Sequence, residues 1–169
     1  RLEHPGVVRV HKLGKAAEGL YLVMEWVPGQ TLWERIKAQG PLEARQAAQL
    51  TLELAETLSY VHGQGVLHRD LKPQNVLLDA QGKPRVVDFG LAKLLGPSAL
   101  SEAERLTQSG QVLGTPGYLA PEQAEGSRED ISQAADVYGL GATLFAMLCG
   151  RPPFLGETLV KVLFQVTSK

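Results

Sequence analysis

His68-Arg69-Asp70-Leu71-Lys72-Pro73-Gln74-Asn75 is the stretch on which the reading of this chain turns. It matches H-R-D-L-x-x-x-N at every specified position. Five fixed residues at a given start arise by chance in about one of 3 million random sequences. A carboxylate, two cations and a carboxamide are thereby gathered just ahead of the β-rich run Val76-Leu77-Leu78. Singly, each of these side chains reads as a surface charge or a turn residue; together, at this spacing, they read as a site.

Upstream of the loop, Glu43 to His62 carries Ala47, Leu50, Leu54, Leu58 and Val61 at steps of three and four. That is the single apolar face of a long helix, ended by Gly63-Gln64-Gly65. Thr31 to Gln39 reads as a short helix stopped by Gly40-Pro41. Val7, Val8 and Val10, then Leu20 to Val23, read as a hairpin turning around Ala17-Glu18-Gly19, with Pro28-Gly29 stopping its second strand.

Downstream, Val76-Leu77-Leu78 and Arg85-Val86-Val87 flank Asp79-Ala80-Gln81-Gly82 as a second hairpin. Asp88 to Pro121 is long, mostly polar and aperiodic, and loops of that length usually carry function or are disordered. Gln133 to Cys149 reads as an apolar helix buried on most sides, with Cys149 buried in it, and Leu159 to Val166 as a final amphipathic helix. Strands come first and helices later, the order of an α+β fold.

Composition narrows the function classes. The 169 residues suit one domain, and 44% hydrophobic with 21% charged is enough to bury a core, which argues against disorder. Seventeen Lys+Arg against 18 Asp+Glu leave the chain almost neutral. Bulk electrostatic binding to nucleic acid or to an anionic membrane is therefore not expected. One cysteine excludes an intrachain disulfide and fits a reducing compartment. The most apolar stretch, Val137 to Gly150, falls short of the roughly 18–20 apolar residues of a membrane span. Arg1-Leu2-Glu3-His4-Pro5 lacks the apolar core of a signal peptide.

Two further motifs follow the loop: Asp88-Phe89-Gly90, and then Ala120-Pro121-Glu122. Their order and spacing resemble those of the protein kinases. Over essentially its whole length the chain resembles a serine/threonine kinase of the bacterial, eukaryotic-like kind. The resemblance implies a protein-kinase-like fold, with residues 1–27 as the end of a strand-built small lobe plus the hinge. Residues 28–169 would form most of the helical large lobe. It also implies ATP and Mg²⁺, and a protein substrate with a Ser or Thr acceptor.

Site roles follow residue by residue from that resemblance. Asp70 would accept or orient the substrate hydroxyl; a carboxylate with pKa near ~4 is a weak base for an alcohol, so positioning outweighs early proton removal. Lys72 would place a mobile cation on the transferring phosphate, and Lys at this position marks the serine/threonine kinases. Asn75 and Asp88 would be hard oxygen ligands for Mg²⁺. Thr115, ahead of Pro116-Gly117-Tyr118-Leu119, would hydrogen-bond near Asp70 and Lys72. Leu20 to Val27 resembles the strand that enters the hinge. Met24 would then be the gatekeeper, the backbone at Glu25 and Val27 would bond adenine, and Leu77 would floor the pocket. Plain core packing stays open for the apolar members of this group.

Arg69 resembles the cation that a phosphate on the activation segment neutralises, and Thr107 or Ser109 is the expected acceptor of that phosphate. Gln74 and Ala146 stand where arginine-directed kinases carry acids, so an Arg-rich target is not expected. Asp136 resembles the helix carboxylate that bonds the loop backbone near His68. Gly139-Leu140-Gly141 lies in a helical run and does not follow a strand, so it is no phosphate loop.

The resemblance begins at the family's stretch just before the fourth small-lobe strand. No G-x-G-x-x-G precedes Met24, and neither a V-A-I-K-type lysine nor its partner Glu is present. These parts are expected upstream of Arg1, and without them the segment is expected to transfer phosphate poorly. The alternative is a noncatalytic kinase-fold binding or scaffolding module. The complete polar set of Asp70, Lys72, Asn75 and Asp88 favours the kinase. Cytoplasmic placement is expected, with any membrane anchor of the parent protein outside this segment.

Overall fold

A computed structural model describes residues 2–16, 19–89, 116–125 and 131–168. The chain opens with an antiparallel hairpin, β1 (Val10–Ala16) and β2 (Gly19–Met24), in which Leu13 faces Leu22 and Lys12 faces Val23. The pairing slips between Val10 and Lys12. Val7 and Val8 lie outside β1. Both are buried, and Val7 bridges Val86 in parallel, which pins the start of the chain to a later strand.

A second sheet has the order β3 (Gly29–Thr31), β4 (Val76–Asp79), β5 (Pro84–Val86), all antiparallel. The β4–β5 hairpin lies where the alternation and turn residues place it. β2 already ends at Met24, short of Pro28-Gly29, and strand β3 was not expected: Gly29 starts a three-residue edge strand against β4. Gly29 is required there. Its φ is 156°, and a Cβ would come within 1.9 Å of the Leu78 carbonyl oxygen.

Helix α1 (Leu32–Gln39) starts on a capping box, in which Glu34 N–H donates to Thr31 Oγ1 (3.1 Å) and Thr31 N–H donates to Glu34 Oε2 (2.7 Å). Gly40, at φ 78°, ends it. Helix α2 (Ala44–Gly63) buries Ala47, Leu54, Leu58 and Val61, much of the face that the sequence periodicity marks. A short helix α3 (Pro121–Ala124) precedes α4 (Gln133–Cys149), which Ser132 caps and left-handed Gly150 ends. Helix α5 is Leu159–Thr167.

The main core gathers α1, α2, β4, β5 and α4 through Leu32, Ile36, Leu54, Leu58, Val76, Val86 and Met147. Burying side chains of this size contributes roughly 1.5–3 kcal/mol each. Helix α4 is less enclosed than its apolar sequence suggests. Its buried stripe runs Ala135, Asp136, Gly139, Ala142, Thr143, Ala146 and Met147, while Val137 is 62% exposed. The next member of that stripe is position 150, so Cys149 falls off it and is exposed, contrary to the sequence expectation. Among the described residues, no helix is long and apolar enough to cross a membrane.

Candidate active site

The loop between α2 and β4 is built around a carboxylate that arrives from far along the chain. Asp136, buried on α4, accepts from the backbone N–H of His68 (2.9 Å, Oδ2) and of Arg69 (2.7 Å, Oδ1). His62, at the end of α2, reaches the same Oδ2 through Nε2 at 2.7 Å. Three contacts thus satisfy a group that would be costly to bury alone. The bond to the loop backbone matches the expectation for Asp136; His62 was missed. Gly139 supplies the clearance: a Cβ there would lie 3.0 Å from the Leu71 carbonyl oxygen, so the loop backbone rests directly on α4.

Arg69 takes a left-handed conformation, φ 70°, which costs a non-glycine residue about 1–2 kcal/mol. The next peptide is held on both sides. Asp70 N–H donates to His68 Nδ1 (3.1 Å), and the Arg69 carbonyl accepts from Gln123 Nε2 (2.6 Å). Since Nδ1 accepts, His68 carries its proton on Nε2, which donates to the Val87 carbonyl at 2.9 Å. Burial holds the His68 imidazole below its ordinary pKa, in keeping with the neutral tautomer that these two hydrogen bonds require. Phe89 packs edge-on against it, with ring centroids 4.8 Å apart.

The loop brings three of the sequence candidates into one hydrogen-bonded cluster. Lys72 Nζ donates to Asp70 Oδ2 at 2.7 Å, and Asn75 Nδ2 donates both to that oxygen (2.9 Å) and to the Asp70 carbonyl (2.8 Å). The Asp70 side chain is 52% exposed and that of Lys72 16%. The carboxylate therefore faces solvent on a sheltered base. Asp88 joins through its neighbour: Val87 N–H donates to the Asn75 carbonyl (3.0 Å), and Val87 O takes the His68 proton. Asp88 is itself left-handed at φ 65° and exposed. Two residues of the site thus carry backbone strain, which persists only where the surroundings over-determine it.

The second group of candidates sits along the hinge-like segment. Met24 ends β2 and is partly exposed, and Val27 is buried. The Glu25 N–H is taken by the Arg9 carbonyl (2.8 Å), so what Glu25 offers a ligand from its backbone is its carbonyl. Its side chain accepts from Arg85 Nη2 (2.8 Å) and Arg9 N–H (3.3 Å), contacts not foreseen from the sequence. The Arg9 hydrogen bond, with Arg85 beside it, holds the Glu25 carboxyl below the ordinary range, offset in part by desolvation. Strand β3 brings the chain leaving Val27 alongside Leu77, which pairs with Thr31 on one side and Arg85 on the other. Leu77 is half-buried between fully buried Val76 and Leu78, on the face that alternation turns away from the core. Thr115, Thr107 and Ser109 lie outside the described residues.

Hard oxygen donors are available for a divalent cation. Both Asn75 Nδ2 contacts run toward Asp70, which leaves its amide oxygen as an acceptor, and Asp88 presents a carboxylate one residue past Val87. Among the described residues no three His, Cys, Asp or Glu side chains gather into a metal cage. Two protein oxygens are what suits Mg²⁺, which keeps several waters and binds substrate phosphates besides one or two carboxylates.

Comparison with known proteins agrees with this geometry. The model of the protein kinase domain matches residues 1–168. The chain is 43% identical over 171 residues to the serine/threonine-protein kinase PkaA of Streptomyces coelicolor, covering 99% of this chain and 30% of that one. It is 40% identical over 178 residues to the probable serine/threonine-protein kinase PknB of Bifidobacterium longum, covering 100% and 25%. With the serine/threonine-protein kinase PrkC of Bacillus subtilis it shares 38% identity over 161 residues, covering 95% and 24%. The chain therefore spans 24–30% of the length of these relatives. It belongs to the protein kinase family.

Proposed function

We propose that this member of the protein kinase family serves the transfer of the terminal phosphoryl group of ATP to Ser or Thr hydroxyls of protein substrates. The observation that carries the reading is the Asp70–Lys72–Asn75 cluster, a carboxylate open to solvent and held in place by a cation and an amide. Asp70 Oδ2 is engaged twice, so the remaining carboxylate oxygen is free to accept the substrate hydroxyl and aim it in line with the phosphorus. Lys72 moves between Asp70 and the transferring phosphate, neutralising charge as it develops. Asn75 and Asp88 would hold Mg²⁺, which when bound would supply charge neutralisation to the phosphates. His68 remains neutral and does no proton transfer; it ties the Asp70 and Val87 backbones together.

Met24, the Glu25 carbonyl, the Val27 amide and Leu77 line the adenine side, and the role of bonding near Asp70 and Lys72 is assigned to Thr115 by the family resemblance alone. Arg69 couples the loop to phosphate on Thr107 or Ser109. Residues 1–27 act as the end of the small lobe and the hinge, and residues 28–169 as the large lobe. A noncatalytic binding module is the second reading, but it has no physical need for an exposed carboxylate fixed this firmly.

The test is Mg·ATP-dependent phosphorylation by the protein expressed from its complete open reading frame, with Asp70→Asn as the control. Loss of about 10²–10⁴ in kcat with unchanged nucleotide binding supports the assignment. Equal transfer by wild type and variant overturns it, and the absence of both transfer and Mg·ATP binding favours the binding module.

A further inference from the structure

Gln123 joins two parts of the molecule through one side chain. Its Oε1 accepts from the Ala120 N–H (3.1 Å) and so caps the start of α3, while its Nε2 donates to the Arg69 carbonyl at 2.6 Å. That carbonyl belongs to the peptide that leads directly into Asp70, and the N–H of the same peptide donates to His68 Nδ1. The plane of the Arg69–Asp70 peptide is therefore clamped at both ends, by an imidazole of the loop itself and by an amide 54 positions downstream. Left-handed Arg69 has no intrinsic preference for this orientation, so it must be imposed from outside. Asp136 holds the N–H of Arg69. On the carbonyl side the hold comes from Gln123.

We propose that Gln123 is a positioning residue for phosphoryl transfer: by clamping the Arg69 carbonyl it sets the direction of the Asp70 carboxylate, and it does so only when α3 is seated. The proposal rests on the phosphoryl-transfer reading given above. Turning the Arg69–Asp70 peptide swings the Cα–Cβ bond of Asp70, and a misplacement of about 1 Å at a reacting group can cost 10²-fold in rate. The same amide oxygen that caps α3 fixes the rotamer of the donor, so any shift of Pro121–Ala124 is passed directly to the loop. Nothing in this link touches the hinge segment, and nucleotide affinity is not expected to depend on it.

Gln123→Glu separates the two halves of the side chain. Glutamate keeps an oxygen for the Ala120 N–H but loses the donor and turns an anion toward the Arg69 carbonyl. In the complete polypeptide, with Mg·ATP and casein as a general Ser/Thr acceptor, kcat should fall about tenfold. The KM for ATP and the melting midpoint should stay at their wild-type values. Gln123→Leu, which loses both contacts, should lower kcat at least as far. A Gln123→Glu kcat within about twofold of wild type overturns the proposal. So does a loss of kcat that comes with a parallel loss of ATP affinity and thermal stability, since that marks a merely structural residue. If wild type itself binds Mg·ATP but transfers no phosphate, the function falls first and the role of Gln123 with it.

Discussion

The loop of residues 68–75 and the β1–β2 hairpin are held in opposite ways. Residues 68–75 are tied by side chains from α3 and α4, with His62 of α2 backing Asp136 and the backbone of Val87 closing the set. The hairpin is held chiefly by its own ladder. Leu13 on one face and Tyr21 and Val23 on the other are all more than 40% exposed, and Trp26 beyond it is 85% exposed. A two-stranded hairpin alone is marginal in water. The contrast separates kinds of stability. The loop's strained backbone is anchored above all by buried Asp136, whose carboxylate makes three contacts, so losing that group is expensive. The hairpin has little buried for a substitution to disturb.

Asp136→Ala should break the comparison most severely. It leaves the N–H groups of His68 and Arg69 without their acceptor and His62 without its partner, at an expected loss of about 3–5 kcal/mol. Chemical denaturation checks this, and a loss below 1 kcal/mol would mean that the loop does not depend on α4. Gly29→Ala comes next, at about 2–3 kcal/mol, because it combines left-handed-side strain with a backbone clash at Leu78. A lowered denaturation midpoint with an unchanged denaturant slope is the expected signature.

Acid should act on the loop more gently. The folded pKa of His68 lies below its ordinary 6.5, so below about pH 6.5 the unfolded chain takes up a proton that the folded one refuses. This contribution is fully present above pH 6.5 and is lost as pH falls toward the folded value. Melting midpoints measured from pH 7.5 to 5 should decline, while imidazole ¹⁵N shifts show His68 taking up its proton at a lower pH than a free imidazole does. A His68 that is charged at pH 6 without loss of stability contradicts this. The smallest effect is expected in the hairpin, where Leu13→Ser should change stability by no more than about 0.5 kcal/mol. A loss above 1 kcal/mol would show that this face is covered in the complete protein.

Local pattern made much of the fold legible. The 3–4 spacing of Ala47, Leu50, Leu54, Leu58 and Val61 placed α2, Thr31 and Gly40 bracketed α1, and the β4–β5 turn stood out by composition. Strand β3 was hidden because three residues carry no periodicity, and its reason to pair lies in β4, far along the chain. The exposure of Val137 and Cys149 was hidden likewise, since an apolar helix does not reveal which of its faces has a neighbour. At the site, Asp70, Lys72, Asn75 and Asp88 were legible as a motif. His62, Gln123 and the Glu25–Arg85 pair were not, although Pro121 followed by Gln123 is a helix-start signal that would have drawn attention to that side chain.

The amino-acid sequence by itself determined the family, the helices with one clear apolar face, and the polar residues of one eight-residue loop, because these are written in short-range order. The tertiary structure alone decided the tautomer of His68, the strained turn at Arg69 and the joint hold of Asp136 and Gln123 on the peptides around it. The tautomer rests on a bond to Val87, 19 positions away, and the hold of Asp136 and Gln123 on bonds between groups 54 to 68 positions apart; no local preference of the backbone encodes such meetings.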